Sequence, residues 1–137
     1  MATKTPVHNE NAPDFRFLFN WGLKISDFSE VFLLAGLGDH GPDGTIRNPG
    51  DAVAQTRSIL SELGTYVEAN GYTMNDIIRI EFTLTKDVPE DSYEEIFGVF
   101  AEVFGPIDVK PAAGTMRVIH GLALPGMLVE YEIWLAK

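Results

Sequence analysis

The C-terminal stretch restricts the fold more than any other part of the chain. Pro111 to Ala136, PAAGTMRVIHGLALPGMLVEYEIWLA, reads as two strands folded back on each other at Leu124-Pro125-Gly126. In its second half Met127, Val129, Tyr131, Ile133 and Leu135 share one face by period-two geometry, and Leu128, Glu130, Glu132 and Trp134 share the other. Two carboxylates therefore lie on one face of a hydrophobic strand. In the first half Ala113, Thr115, Arg117 and Ile119 fall on one face, which brings a guanidinium beside those carboxylates if the two strands pair without a bulge. Arg117, Glu130 and Glu132 are the strongest candidates for chemistry.

Upstream, strand-like and helix-like segments alternate. Residues 1–13 mix small, polar and proline residues without apolar periodicity and are expected to form a flexible arm, leaving 14–137 as a single domain. Phe15 to Ile25 and Glu30 to Leu37 both read as strands, paired as a hairpin across residues 26–29. A glycine-rich connection follows, with Gly36 ending the second strand, where a ligand could reach the backbone. It is not a phosphate loop: it lacks a Gly-Lys-Ser/Thr ending, and Asp39, Asp43 and Asp51 would repel phosphate. Asn48-Pro49 is the expected opening of a helix whose stripe runs Val53, Thr56, Leu60, Leu63 and Val67, with Gln55, Arg57 and Glu62 on its wet face.

Asp76 to Thr85 alternates Ile78, Ile80, Phe82 and Leu84 against Arg79, Glu81, Thr83 and Thr85, a polar face unusually rich for solvent alone. A capping box at Ser92 then opens a second helix with Tyr93, Ile96, Phe97, Phe100, Val103 and Phe104 on its apolar face. Helices with one apolar stripe each, alternating with strands, predict an α+β fold: a two-layer mixed β-sheet with two helices on one face. The other face of that sheet is expected to hold Trp21, Phe32, Leu34, Leu128 and Trp134, and to be covered by self-association.

Composition removes several classes of function. The 137 residues contain no cysteine, which excludes disulfides and thiolate chemistry. Ten basic and twenty acidic residues give a net charge of -10, a field that argues against nucleic acid and anionic membranes as partners. The three histidines, 8, 40 and 120, are scattered without metal-ligand spacing, so no metal is expected. No apolar run approaches the roughly 20 residues that span a bilayer, and the N-terminus lacks a signal-peptide core, so the expectation is a soluble cytoplasmic protein. An acid beside an arginine on an apolar strand can position water or shuttle a proton while the guanidinium holds a carboxylate; the competing reading is a structural ion pair at a subunit interface.

From residue 15 to 136 the chain resembles the Rid/YjgF/UK114 family, also known as L-PSP endoribonuclease-like proteins. The resemblance is carried by FLLAGLGD, DAVAQTRSILSELGTYVEANG, NDIIRIEFTLTKD, YEEIFGVFAEVFG and LPGMLVEYEIWLA, in that order. It implies a homotrimer of chorismate-mutase-like α+β subunits with clefts between subunits. It also implies cofactor-free hydrolysis of reactive enamines and imines, of the 2-aminoacrylate and 2-iminopropanoate type, to 2-keto acids and ammonia. In the family an Arg clamps the substrate carboxylate and a Glu of the last strand positions water. Glu130 matches that Glu. The family's Pro-Ala-Arg is here Pro111-Ala112 followed by Ala113-Gly114; aligned backwards from Glu130, Thr115 stands at the arginine position and Arg117 lies two residues, about 7 Å, further along the same face. Phe97 replaces an Asn of the second helix. The resemblance therefore implies catalytic Glu130 and Arg117, with Thr115, Gly36 and Phe97 binding substrate, in a divergent branch. The alternatives are a non-catalytic trimer binding a small carboxylate metabolite, and endoribonuclease-like activity, against which the acidic charge and the lack of a histidine pair argue.

Overall fold

A computed structural model describes residues 2–137. The main sheet has four strands: β3 (Val31–Leu33), β4 (Ile77–Thr85), β5 (Ala112–Ile119) and β6 (Val129–Ala136). Their order across the sheet is β3-β6-β4-β5, with β4 parallel to β5 and the other pairs antiparallel. The helices α1 (Ala52–Ala69) and α2 (Tyr93–Phe104) lie in the connections before and after β4. A crossover helix between β4 and β5 is what parallel pairing requires, since a tight turn can join only antiparallel neighbours.

This topology corrects the expected C-terminal hairpin. β5 and β6 are consecutive in sequence, but β4 lies between them and pairs with both. The N-terminal hairpin is also absent. Residues 15–20 form a turn, in which the Phe15 carbonyl accepts from the backbone N–H groups of Leu18 and Phe19 at 2.8 and 2.9 Å. A separate two-stranded sheet joins β1 (Thr3–Val7) to β2 (Gly22–Ser26), with Thr3 opposite Ser26 and Val7 opposite Gly22. The segment expected to be a flexible arm thus contributes a strand. Lys4 helps tie it down by donating to the carbonyls of Asn75 and Val109, and burial pulls its pKa below the ordinary lysine value.

The core lies between the sheet and the two helices. Val129, Tyr131, Ile133 and Leu135 of β6 are fully buried, as their alternation predicts. On β4 a register shift between Ile77 and Arg79 places Ile77 in the core and leaves Ile78 half-buried; Ile80, Phe82 and Leu84 are buried as expected, but Glu81 and Thr85 of the polar face are buried too. From α2 come Ile96, Val99, Phe100 and Phe104, and from α1 Ile59, Leu60, Leu63 and Val67. Each such side chain contributes about 1.5–3 kcal/mol on leaving water.

Two features of the helices differ from expectation. The cap of α1 is Asp51, whose carboxylate accepts from Ala54 N–H at 3.0 Å, rather than Asn48, and Ser92 makes no side-chain cap at α2. Gln55, expected on the wet face, is completely buried. Its Nε2 donates to the carbonyls of Asn48 and Gly126 at 2.9 and 2.8 Å, and its Oε1 accepts from Leu128 N–H at 2.9 Å. It satisfies three backbone groups and fastens the turn that leads into β6, immediately before Glu130.

Candidate active site on the open face of the sheet

The face turned away from the helices is charged rather than apolar. Of the five residues expected to make it hydrophobic, Phe32, Leu34 and Trp21 lie elsewhere. Phe32 packs on Tyr72 with ring centroids 5.1 Å apart, and Leu34 and Trp21 line cavities formed with α1 and α2 respectively. Leu128 packs against the core, and the open face carries Arg79, Glu81 and Thr83 from β4, Arg117 from β5, Glu130, Glu132 and Trp134 from β6, and the exposed Leu33 of β3 beside Trp134.

Register arranges these residues in rows. Thr83 pairs with Arg117 on one side and with Glu130 on the other, so the three lie abreast. Two strand spacings separate the Arg117 and Glu130 Cα atoms, about 10 Å. The next row places Glu81 opposite Glu132, and the one beyond places Arg79 opposite Trp134. The expected acid and guanidinium thus do share a face, across an intervening strand rather than within a hairpin.

Two glycines make room for the acids. A Cβ at Gly36 would overlap the Glu130 carboxylate, and a Cβ at Gly114 would overlap that of Glu81. Gly36, singled out as a place where a ligand could reach the backbone, is therefore the seat of the Glu130 side chain. Gly114 lies at a bulge, where Ile80 to Phe82 of β4 faces Ala113 to Met116 of β5. The extra residue turns Ala113 towards the core and Arg117 towards the open face, so these two do not share a side as simple alternation predicts. Thr115, within the bulge, is exposed. Phe97 lies on the helix side, edge-on to Phe82 at 5.4 Å, and is not brought to the face that carries Glu130.

Glu81 links the charges. Its Oε2 accepts from Arg117 Nη1 at 2.5 Å and its Oε1 from Arg79 Nη2 at 2.6 Å, while the Arg79 guanidinium stacks 5.1 Å from the Trp134 ring centroid. Burial pushes the Glu81 carboxyl up, but the hydrogen bonds and charges of the two guanidiniums outweigh it and leave its pKa below the ordinary 4.5. Sequence reasoning noted the rich polar face of this strand without assigning Glu81 a partner. That richness was the available signal.

Apolar cavities border the sheet. One of about 700 Å³ is walled by Phe15, Phe19, Trp21, Phe97 and Met116, and one of about 600 Å³ by Leu34, Leu37, Ile59, Leu63 and Tyr66. Neither includes Glu130 or Arg117. Among the described residues no group of His, Asp and Glu has the arrangement of a metal site, and no helix is long and apolar enough to cross a membrane.

Fold and site together define a two-layer α+β protein with an acid, a hydroxyl and a guanidinium abreast on the uncovered side of its sheet. Residues 24–136 match the family described as Endoribonuclease L-PSP. A RutC family protein from Pyrococcus horikoshii is 31% identical over 130 residues, 94% of each chain. Among solved structures, a Rid-family protein from Yersinia pestis superposes with a TM-score of 0.83 at 21% identity, over 98% of both chains. The YjgF gene product of E. coli gives 0.64 at 20% identity, over 97% of this chain and 98% of its own. The chain belongs to the Endoribonuclease L-PSP family, which is also the Rid/YjgF family.

Proposed function

We propose that the protein is a Rid-type hydrolase that converts reactive imines and their enamine tautomers, of the 2-iminopropanoate type, to 2-keto acids and ammonia. The observation that carries this reading is the row formed by Arg117, Thr83 and Glu130, with Glu130 seated over Gly36. The Arg117 guanidinium, 52% exposed, holds the substrate carboxylate. Glu130 accepts a proton from water as the water oxygen bonds to the carbon of the protonated imine and the C=N π electrons move to nitrogen, giving the neutral carbinolamine. Glu130 then returns that proton to the amino nitrogen, and as the C–N bond breaks its electron pair leaves with ammonia while the hydroxyl proton passes back to Glu130 and the C–O bond becomes the carbonyl. Water and proton transfer suffice, so no cofactor is required.

A homotrimer belongs to the same reading. An open face bearing Trp134, Glu130 and Arg117 does not exclude water in a lone chain, and a second and third copy would enclose it. Sedimentation should therefore give about three times the 15.1 kDa chain mass, and a monomer at working concentration would sink the enclosed site. Glu130→Gln is expected to lower kcat about 10²- to 10⁴-fold. Arg117→Ala should lose about 2–5 kcal/mol in kcat/KM. Release of ammonia from freshly generated 2-iminopropanoate reads both. Unchanged turnover in Glu130→Gln would remove that residue from the chemistry.

One observation favours a second reading, a non-catalytic trimer that binds a small carboxylate. Thr115 stands where the family pattern has its arginine, and Arg117 already has a carboxylate partner in Glu81. Thermal stabilisation by 2-keto acids with no ammonia from any imine would support it.

A further inference from the structure

We infer that Glu81 is a positioning residue: it orients Arg117 so that the free edge of the guanidinium receives the single carboxylate of the substrate. This rests on the Rid-type reading above and goes beyond it, since the carboxylate of Glu81 bonds to Arg79 and Arg117 and not to Glu130.

The geometry is that of a chain of supports anchored at one end. Arg79 is held by the face of Trp134, Arg79 holds Glu81, and Glu81 holds Arg117. The anchored members are the more enclosed: side-chain exposure is 9% for Glu81, 36% for Arg79 and 52% for Arg117. Each oxygen of Glu81 serves a different arginine, which bridges them instead of forking onto one. Arg117 commits only Nη1 to this contact and makes no other hydrogen bond among the described residues. Its remaining N–H groups can meet a carboxylate side by side. An arginine free on an edge strand carries about 2 kcal/mol of rotamer entropy, and fixing it beforehand lowers what a ligand must order.

Charge points the same way. Within the hydrogen-bonded trio two guanidiniums share one carboxylate, so Arg117 has donors left for one anionic group, while Glu130 and Glu132 bring the whole face to three carboxylates against two guanidiniums. A second carboxylate on the substrate would meet Glu130 and the exposed Glu132. The bulge also fits this role, since the glycine at 114 leaves the Glu81 carboxylate its place and the same bulge turns Arg117 to the open face.

The test compares wild type, Glu81→Gln and Gly114→Ala, with folding of each confirmed by thermal melts. Glu81→Gln removes the charge that holds Arg117, and Gly114→Ala displaces the carboxylate without deleting it. Both should raise KM for 2-iminopropanoate about tenfold and weaken pyruvate binding, read by calorimetry, by the same factor. Their kcat should stay within about twofold, and KM for the uncharged amide analogue should not move. A purely structural ion pair would lower kcat or affect both substrates alike, and that result overturns the inference. So does unchanged pyruvate affinity in Glu81→Gln while wild type hydrolyses the imine, which leaves the enzymatic reading intact. If wild type releases no ammonia yet binds pyruvate through Arg117 and Glu81, the hydrolase reading falls and the positioning role stands. If it neither hydrolyses nor binds, both fall.

Discussion

The two faces of the sheet are made by the same strands and obey opposite rules. Towards the helices, Ile80, Phe82, Leu84, Val129, Tyr131, Ile133 and Leu135 are buried, and the polar atom of Tyr131 is satisfied by a hydroxyl–hydroxyl contact of 2.7 Å with Thr56. Towards the open side, alternate residues of the same strands carry Arg79, Glu81, Thr83, Glu130 and Glu132. Burial acts on a titratable group in both places. It pushes the Tyr131 hydroxyl well above its ordinary value, because its hydrogen-bond partner, Thr56, is neutral and offsets little of the cost. It pushes Glu81 in the same direction and is overcome, because two cations face it. A buried group on the helix face is kept neutral, whereas one on the open face is kept charged. Only the second condition suits a site that handles anions.

The contrast can be broken by substitution, and the largest effect is expected on the helix face. Phe100 is fully buried and packs edge-on against Phe82, Phe104 and Tyr131. Phe100→Ala should destabilise by about 3–5 kcal/mol in urea unfolding, and a loss below about 1 kcal/mol would mean that the core is not organised around it. Next comes Gln55→Leu, which retains the bulk, strands the Leu128 N–H and leaves the carbonyls of Asn48 and Gly126 only their longer bonds from Asp51 and Gly50 N–H at 3.3 and 3.4 Å. A loss of about 2–4 kcal/mol is expected, together with reduced ordering of Glu130, visible as a chemical-shift change in β6. Stability equal to wild type would show that water replaces the Gln55 bonds.

The smallest effect sharpens the comparison through pH. The Glu81 pKa is depressed in the folded state, so its contribution to stability is fully present above the unfolded value and is lost as pH falls through the folded one. Glu81→Gln has no such component. The gap in melting temperature between wild type and this variant should therefore be widest near neutral pH and should narrow below about pH 4.5. A gap that is constant on acidification would mean that the two guanidiniums do not hold the carboxylate charged in the native state.

Much of the fold was legible along the chain. The alternation in residues 129–135 identified the buried face of β6 residue by residue, and single apolar stripes identified α1 and α2 as helices on one layer. The candidate site was legible in part: Glu130 and Arg117 do share the open face, whereas Gly36, expected to give a ligand access to the backbone, makes room for the Glu130 side chain. What was missed involved partners distant in sequence. Gln55 reads as a wet-face residue on a helical wheel because its three backbone partners come from residues 48, 126 and 128. Thr3–Val7 shows no apolar periodicity because its stability comes from pairing with Gly22–Ser26.

By itself, then, the sequence determined which residues point together within each strand and helix, because backbone geometry imposes that period locally whatever the neighbours are. Tertiary structure alone decided that β4 separates β5 from β6, that a bulge at Gly114 turns Arg117 to the open face, and that Glu81 stands between two arginines. Strand order and bulges depend on which distant segments satisfy one another's hydrogen bonds and charges. No local period carries that information.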